Sequence, residues 1–348
     1  MQMTFRIIFT TLTMLAFAAC LLADEEKPFF KSEPVFPFDE FRPSNHSASL
    51  AEMPNGDLLA TWFGGSSEGL ADVAIWSSRR PAGSGEWTEP AALVDEPGIP
   101  EGNSVIFADS KGKVWLFFVQ KFNPRWDAWD KVKIFMQTSD DSGYNWTEPR
   151  LLLDEMGWII RNGVLELPDG RLLLPVYTDA EPMRSLMWIS GDGFETWAVR
   201  EAPVTKPPNI QPAYIHPGGE RLLLYARHHT VPGRIWFSVS NDMGKTWMEP
   251  KKMKFPNPDS GIDAIGLKSG AIALAFNDSP LSRTPLVVAL SEDGGRKWPF
   301  KKTIESEVME FSYPFLIQAK DGHIHLIYTA NDRKFIKHAE FNEAWLKK

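Results

Sequence analysis

The octapeptide Ser240-Asn-Asp-Met-Gly-Lys-Thr-Trp247 constrains this chain more than any other stretch, because the sequence keeps returning to it. Its pattern, Ser-x-Asp-x-Gly-x-x-Trp, recurs from Ser139 to Trp146 and from Ser291 to Trp298. A degenerate copy runs from Ser190 to Trp197 with Phe194 in place of the glycine, and a more eroded one ends at Trp87. The five tryptophans stand 59, 51, 50 and 51 residues apart. A fixed period of about 50 residues marks a repeat architecture. Each box reads as a tight hairpin: the Asp accepts hydrogen bonds from amides just ahead of it, and the glycine permits positive φ. The tryptophan then buries its ring between strands. Strand-like runs precede the boxes at Lys133–Thr138, Ile235–Val239 and Leu286–Leu290. The boxes are expected to organise the fold and to take no part in chemistry.

A second mark lies between them. Turn glycines followed by apolar runs occur at Gly56, Gly112, Gly170, Gly219, Gly270 and Gly322, spaced by 49 to 58 residues. Each unit therefore reads strand, glycine turn, strand, loop, strand, box, strand. Four strands repeated six times predict an all-β, six-bladed β-propeller with Asp-box hairpins. Residues between Asp24 and Pro43 are expected to add a strand that closes the ring against the last blade. Helix signals are confined to a turn near Asn342–Lys348.

Composition agrees with this. Fourteen tryptophans and 23 phenylalanines suit a β-rich core, while 27 prolines and 25 glycines suit many turns. The formal net charge of −8 argues against a nucleic-acid or anionic-membrane partner. Residues 1–23 read as an export signal: Arg6, an apolar run from Ile7 to Ala23, and small residues at Ala18, Ala19 and Ala23. The remainder, 24–348, reads as a single propeller domain without a further membrane span, secreted or periplasmic. Phe17-Ala-Ala-Cys20 also resembles a lipoprotein cleavage site, which would anchor the mature chain through Cys20, the only cysteine.

In a propeller the first strand of each blade lines the axis, so counting back from the glycine turns locates the axial side chains. They are His46, Glu101, Asn103, Arg161, Asn162, Asn209, Gln211, Asp259, Asp263, Glu310 and Tyr313. Loops after the second strands add Glu68, Asp72, Tyr177, Arg184, Arg227, His228, His229, Asn277, Asp278, Arg283, Tyr328 and Arg333. Unpaired buried charges are costly, so a polar ring on apolar strands points to a wet pocket, with pairing across loops as the alternative.

These residues carry a resemblance to the sialidase (neuraminidase) superfamily, in its branch of secreted Asp-box proteins, over essentially the whole chain after the leader. Tyr313-Pro-Phe-Leu316, nine residues before Gly322, resembles the family's nucleophilic tyrosine segment. Arg227, sixteen residues after Gln211, resembles one family arginine, and Arg283, ahead of the strand into the box at Ser291, resembles another. Two positions depart. His46, ten residues before Gly56, stands where the family has its first arginine, and Gln211 stands where it has the glutamate that activates the tyrosine. Asp72 is the counterpart of the family's acid, with Glu68 as the alternative.

The resemblance implies a retaining exo-α-sialidase that acts on terminal acidic sugars of glycans and needs no cofactor. A neutral phenol attacks beside the sugar's carboxylate where a carboxylate nucleophile would be repelled. Guanidinium groups would hold that carboxylate bidentately. On this reading Tyr313 is the nucleophile and Asp72 the acid, with Glu310 or Asp263 the base that Gln211 cannot be. Arg227 and Arg283 bind the substrate, with Gln211, Asn162, Arg161, Asn277 and Arg333 around it. His46 is expected to supply positive charge as an imidazolium at pH about 5 to 6. Neutral, it would be the base, with Tyr313, of a lyase or glycosidase for uronic-acid glycans. Gln211 equally suits a propeller that binds glycans without turnover. Gly65-Ser-Ser-Glu-Gly69 matches a nucleophile elbow only in letters, since a strand follows it where a helix is needed. His323-x-His325 lacks the partner ligands of a metal site.

Overall fold

The structure, a computed structural model, describes residues 26–123, 125 and 127–348. Residues 1–23, read from the sequence as an export signal, and with them Cys20, lie outside the described residues. Six antiparallel sheets follow one another along the chain. Blade I comprises Ser44–Glu52, Leu58–Gly65, Ala74–Arg80 and Ala91–Val94. Blade II comprises Glu101–Ala108, Val114–Lys121, Val132–Ser139 and Arg150–Leu151. Blades IV and V begin at Asn209–Gly218 and Asp263–Gly266. In blade VI the strands Ser312–Gln318, Ile324–Ala330 and Phe335–Phe341 are joined by Phe30–Pro34 from the start of the chain. That N-terminal strand closes the ring, so first and last repeats share one sheet.

Blade III is the irregular one. Its inner strand is split into Trp158–Ile159 and Leu165–Glu166, both paired with Leu172–Thr178. Residues 160–164 leave the ladder between them.

Each glycine turn joins the first and second strands of a blade, and all six glycines hold positive φ. The boxes follow the third strands. In the box at Ser240, the serine hydroxyl accepts the Gly244 amide at 2.8 Å and donates to Asp242, whose Oδ1 accepts the Thr246 amide at 2.8 Å. In the degenerate box Phe194 takes the glycine's place at φ 62°. Its ring is fully buried, edge-on to Trp115 and Phe117, and this burial offsets the backbone strain. The box tryptophans are half-buried rather than enclosed, apart from Trp298. Apolar side chains fill the space between adjacent sheets, as where Leu223, Tyr225 and Ile235 of blade IV meet Ile272, Leu274 and Val287 of blade V. Among the described residues no helix is long and apolar enough to cross a membrane, and Glu343–Lys347 forms one short turn of helix capped by Asn342.

The Asp242 carboxyl is lowered from 3.8 to about 2, first by the Thr246 hydroxyl, then by the Thr246 amide and Ser240. A depressed carboxylate adds stability above its unfolded value and loses it as pH falls toward the folded one. Asp242→Ala is expected to lower the thermal unfolding midpoint at neutral pH, with the gap to wild type closing between pH 3.8 and about 2. Turnover per folded molecule should be unchanged when calorimetry is run beside a rate assay. A specific rate defect would move this box from scaffold to site.

Candidate functional site

The inner strands deliver their polar side chains through a repeated backbone device. Ladder pairing slips between His46 and Ser49, between Gly102 and Val105, between Ile210 and Pro212, and between Ser312 and Phe315. At each slip a residue with a side chain holds positive φ: Ser47 at 57°, Asn103 at 43°, Gln211 at 51° and Tyr313 at 53°. Such a bulge leaves one residue unpaired and re-aims its side chain, at a cost of about 1–3 kcal/mol of strain. Four blades thus turn a side chain toward the axis at the same level.

Tyr313 stands at the centre of what they bring together. Its hydroxyl oxygen accepts from Arg227 Nη1 at 2.8 Å and from Gln211 Nε2 at 3.3 Å. Gln211 Oε1 accepts from Arg227 at 3.2 Å, and its Nε2 also donates to Tyr177 at 3.2 Å, which fixes the amide's orientation. The ring has His46 4.2 Å away and the guanidiniums of Arg161, Arg283 and Arg227 at 5.1, 5.5 and 5.9 Å from its centroid. Gly261 passes so close that a Cβ there would lie 3.3 Å from both Gln211 Oε1 and Tyr313 Cγ.

Charges alternate around this centre. Arg227 Nε donates to Asp259 at 2.7 Å, and Asp259 also bonds His229 at 3.2 Å. Arg283 pairs with Glu310 at 2.8 Å, Arg333 reaches Glu310 at 3.3 Å, and Arg333 also pairs with Glu68. Residues 331–333 are all left-handed, at φ 52°, 55° and 70°, a strained loop that sets Arg333 in place. Burial works against ionised Asp259, yet His229 and Arg227 hold it well below the usual carboxylate range. Burial likewise opposes Glu310, and Arg283 and Arg333 bring it below its ordinary value. For Arg227 desolvation is outweighed by Tyr313 and Asp259, and the guanidinium is held more firmly charged than usual.

Several expectations meet a different geometry. His46 is enclosed and bonds Thr329 through Nδ1 at 2.9 Å. Desolvation, then Arg333, Arg283, Arg161 and Arg227, lowers its pKa well below the ordinary value, so it is neutral and supplies no imidazolium at pH 5 to 6. Glu310 and Asp263, expected as bases, are occupied: Glu310 by the two arginines and Ser312, Asp263 by the Leu316 amide and Asn162, both within 2.9 Å. Burial pushes the Asp263 carboxyl up to about 6. Asp72 is exposed and folded back on Ser66, accepting from its amide and hydroxyl at 2.8 and 2.9 Å. Glu68, in the same loop, is the carboxylate that joins the ring. Asn277 ties backbone, donating to Phe311 at 2.7 Å.

Arg161 and Asn162, expected to bind substrate, lie in the break of blade III and cross the axis. Arg161 Nη2 donates to the carbonyls of Tyr313 and Pro314 at 2.7 and 3.1 Å, and Asn162 donates to Ile262 and Asp263. Both are about 1% exposed. Below them, at the other end of the axis, opens a cavity of about 970 Å³ lined by Leu50, Ile106, Val164, Ile215, Ile265 and Phe315. Its lining includes Asn162 and Asp263 but none of the paired charges around Tyr313.

Sequence reading missed Asp179, in the loop two residues past Tyr177. Its Oδ1 is buried without a hydrogen-bond partner among the described residues, and burial raises its carboxyl above the ordinary value despite Arg227 and His229. The position at the end of a second strand, level with Arg227 and His229 in the next blade, was the available signal. Lys121, buried at the same level of blade II over the Trp129 ring at 4.3 Å, was missed for the same reason. Among the described residues no group of three or more His, Cys, Asp or Glu is arranged to hold a metal ion.

The chain matches the BNR repeat-like domain family over residues 56–326. It is 24% identical to a sialidase of Bacteroides fragilis strain YCH46 over 341 residues, which is 86% of this chain but 61% of that protein. A Hadza microbial sialidase superposes with a TM-score of 0.77 at 17% identity, over 88% of this chain and 68% of the other. The leech intramolecular trans-sialidase, solved with 2,7-anhydro-Neu5Ac, gives 0.76 at 14% identity over 91% and 71%. The chain therefore belongs to the BNR repeat-like family, within the sialidase-like superfamily of six-bladed propellers.

Proposed function

We propose that this protein is an exo-acting glycoside hydrolase that removes a terminal carboxylate-bearing sugar, of the sialic acid type, through a covalent intermediate on Tyr313. The observation that carries this reading is the phenol hydroxyl gripped by Arg227 with Arg283 alongside. A phenol avoids the repulsion that a carboxylate nucleophile would meet beside the sugar's own carboxylate. Arg227 and Arg283 offer that carboxylate planar, permanently charged donors. Sialidases among the relatives, and the 2,7-anhydro-Neu5Ac bound to the leech enzyme, support the substrate class.

In the first step the Tyr313 oxygen, its proton released to solvent, bonds to the anomeric carbon as the bond to the leaving oxygen breaks. Asp179 gives that oxygen its proton, because burial outweighs Arg227 and His229 to raise it above its ordinary value, and its Oδ1 has no hydrogen-bond partner among the described residues. In the second step water attacks the same carbon, Asp179 takes a proton from the water, and the Tyr313 oxygen departs. Two inversions retain the configuration. The leader read from residues 1–23 would place this activity in the periplasm or outside the cell.

One observation favours a second reading. Neutral His46 packed on Tyr313 is suited to take a proton from a uronate ring, with β-elimination following. Uronate polysaccharide would then give a product with the absorbance of a conjugated double bond, and sialosides would give nothing.

Release of sialic acid from a chromogenic sialoside is expected of the wild type and should be abolished in Tyr313→Phe. Arg227→Ala and Arg283→Ala are each expected to weaken substrate affinity by roughly 2–5 kcal/mol, read from inhibition by free sialic acid. Losses below a few tenths would mean that these arginines hold no carboxylate. Asp179→Asn should cut kcat/KM by roughly 10²–10⁴ for a sialoside with a poor alcohol leaving group and spare one with an activated aryl leaving group. Should Asp72→Asn show that selectivity instead, the proton donor is Asp72.

A further inference from the structure

The Tyr313 hydroxyl presents a problem of hydrogen-bond polarity. Arg227 Nη1 is an obligate donor, and the Gln211 amide is oriented so that its NH₂ end faces the phenol. The oxygen thus receives two donors and finds no acceptor for a proton of its own among the described residues. A glutamate at position 211 would have taken that proton, and Gln211 has no means to do so.

Beneath the same ring lies a cation that also lacks a match. Arg161 is 1% exposed, and its Nε and Nη1 have no hydrogen-bond partner among the described residues. Its one bonded nitrogen goes to backbone carbonyls, those of Tyr313 and Pro314. The other cations of the site are each bonded to a carboxylate: Arg227 to Asp259, Arg283 to Glu310, Arg333 to Glu310 and Glu68. Arg161 is not. Its strongest attractions are to Asp263 and then to Tyr313, and Asp263 directs its oxygens to the Leu316 amide and Asn162. A buried guanidinium without a bonded anion is expensive to keep.

We infer that Arg161 is the internal counter-ion of Tyr313: a positioning residue that lets the tyrosine react as a phenolate in a site without a base. This rests on the hydrolase reading only for the reaction it serves, since the charge pairing exists without substrate. The step balances. The phenolic proton passes to solvent once the substrate is bound, and the phenolate oxygen bonds to the anomeric carbon. The leaving oxygen takes the Asp179 proton, so the negative charge moves from Tyr313 to Asp179. Deglycosylation reverses the transfer. Facing Tyr313 from the other blades are the cations Arg227, Arg283 and Arg333, neutral His46, and the phenol of Tyr177. The acidic groups around it are Asp259, Asp263, Glu310 and Asp179, and only Arg161 sits under the ring without a bonded carboxylate.

The test compares Arg161→Met, which removes the charge and leaves an apolar stem, with Arg161→Lys, which keeps it. Replacing a buried unmatched ion by an apolar side chain is often neutral for folding, and thermal unfolding checks this in each variant. The near-ultraviolet tyrosinate signal, as the difference between each protein and its Tyr313→Phe counterpart, reports the charge on this one tyrosine with no substrate present. Arg161→Met is expected to displace that signal upward by about one to two pH units, as loss of a unit charge at this range implies, and Arg161→Lys to recover most of it. The acid limb of kcat/KM for the sialoside should move upward by the same amount, with little change in KM.

An unmoved tyrosinate signal in a folded Arg161→Met protein overturns the inference, leaving Arg161 as a tie between blades III and VI. If Arg161→Met fails to fold, Arg161→Lys decides: an upward displacement as large as that expected of the methionine variant overturns it, and a retained signal upholds it. A displaced signal in a protein that releases no sialic acid sinks the hydrolase reading and leaves the charge pairing standing.

Discussion

The site depends on backbone held where side-chain-bearing residues rarely go. Ser47, Asn103, Gln211 and Tyr313 sit at φ between 43° and 57° at the slips in their ladders. Beyond each slip, pairing resumes in register with the second strand, and sheet-on-sheet packing holds the strained residue in place. The consequence is aim without rotational freedom. Tyr313 is turned inward by its own backbone, with His46 at 4.2 Å and Arg161 at 5.1 Å from its ring, so its hydroxyl meets Arg227 and Gln211.

From that geometry the electrostatics follow. The alternation from Glu68 through Arg333, Glu310 and Arg283, and again from Asp259 to Arg227, draws on blades I, VI, V and IV. Because Glu68 of blade I meets Arg333 of blade VI, the arc is complete only when the propeller is closed, and Phe30–Pro34 is the strand that closes it. Truncating one member of a buried pair leaves its partner uncompensated, which makes the arc cooperative. It also sorts the carboxyls. Asp259 and Glu310, bonded to guanidinium groups, are held below their ordinary values, while burial raises Asp263 and Asp179, and Asp179 keeps one oxygen without a hydrogen-bond partner among the described residues.

Periodicity made the scaffold readable from the sequence. The box at Ser240 and the turn at Gly270 report local backbone chemistry that repeats every 50 or so residues, and counting back from the glycines reached His46, Gln211 and Tyr313 on the inner strands. What could not be read was set by partners remote in the chain. His46 looked able to gain a proton until Arg333, Arg283, Arg161 and Arg227 were placed around it. Asp72 was assigned by the loop it occupies, and its direction is decided by Ser66. Arg161-Asn162-Gly163 interrupts the run from Trp158 to Leu167 with a turn signal, but the carbonyls that receive Arg161, those of Tyr313 and Pro314, are remote in the chain. Phe194 shows the opposite case: a residue that spoils its motif in letters and satisfies it in φ, because burial of its ring offsets the strain.

Gln211 is where scaffold and chemistry meet. Its carbonyl end is fixed by Arg227 and its amide end by Tyr177 and Tyr313, so it fills the space of a glutamate and makes contacts on both sides. A carboxylate in that place would add one negative charge within hydrogen-bond distance of the phenol. At about 4 Å and an effective dielectric near 20, that is on the order of 4 kcal/mol against a second negative charge on the tyrosine oxygen. Such a site would have to move the phenolic proton onto the carboxylate during attack. With the amide, the positive excess of Arg161 is left uncancelled beneath the ring, where it can meet the charge of a phenolate. One amide nitrogen in place of a carboxylate oxygen thus changes the device from a base that takes a proton to a field that tolerates its absence.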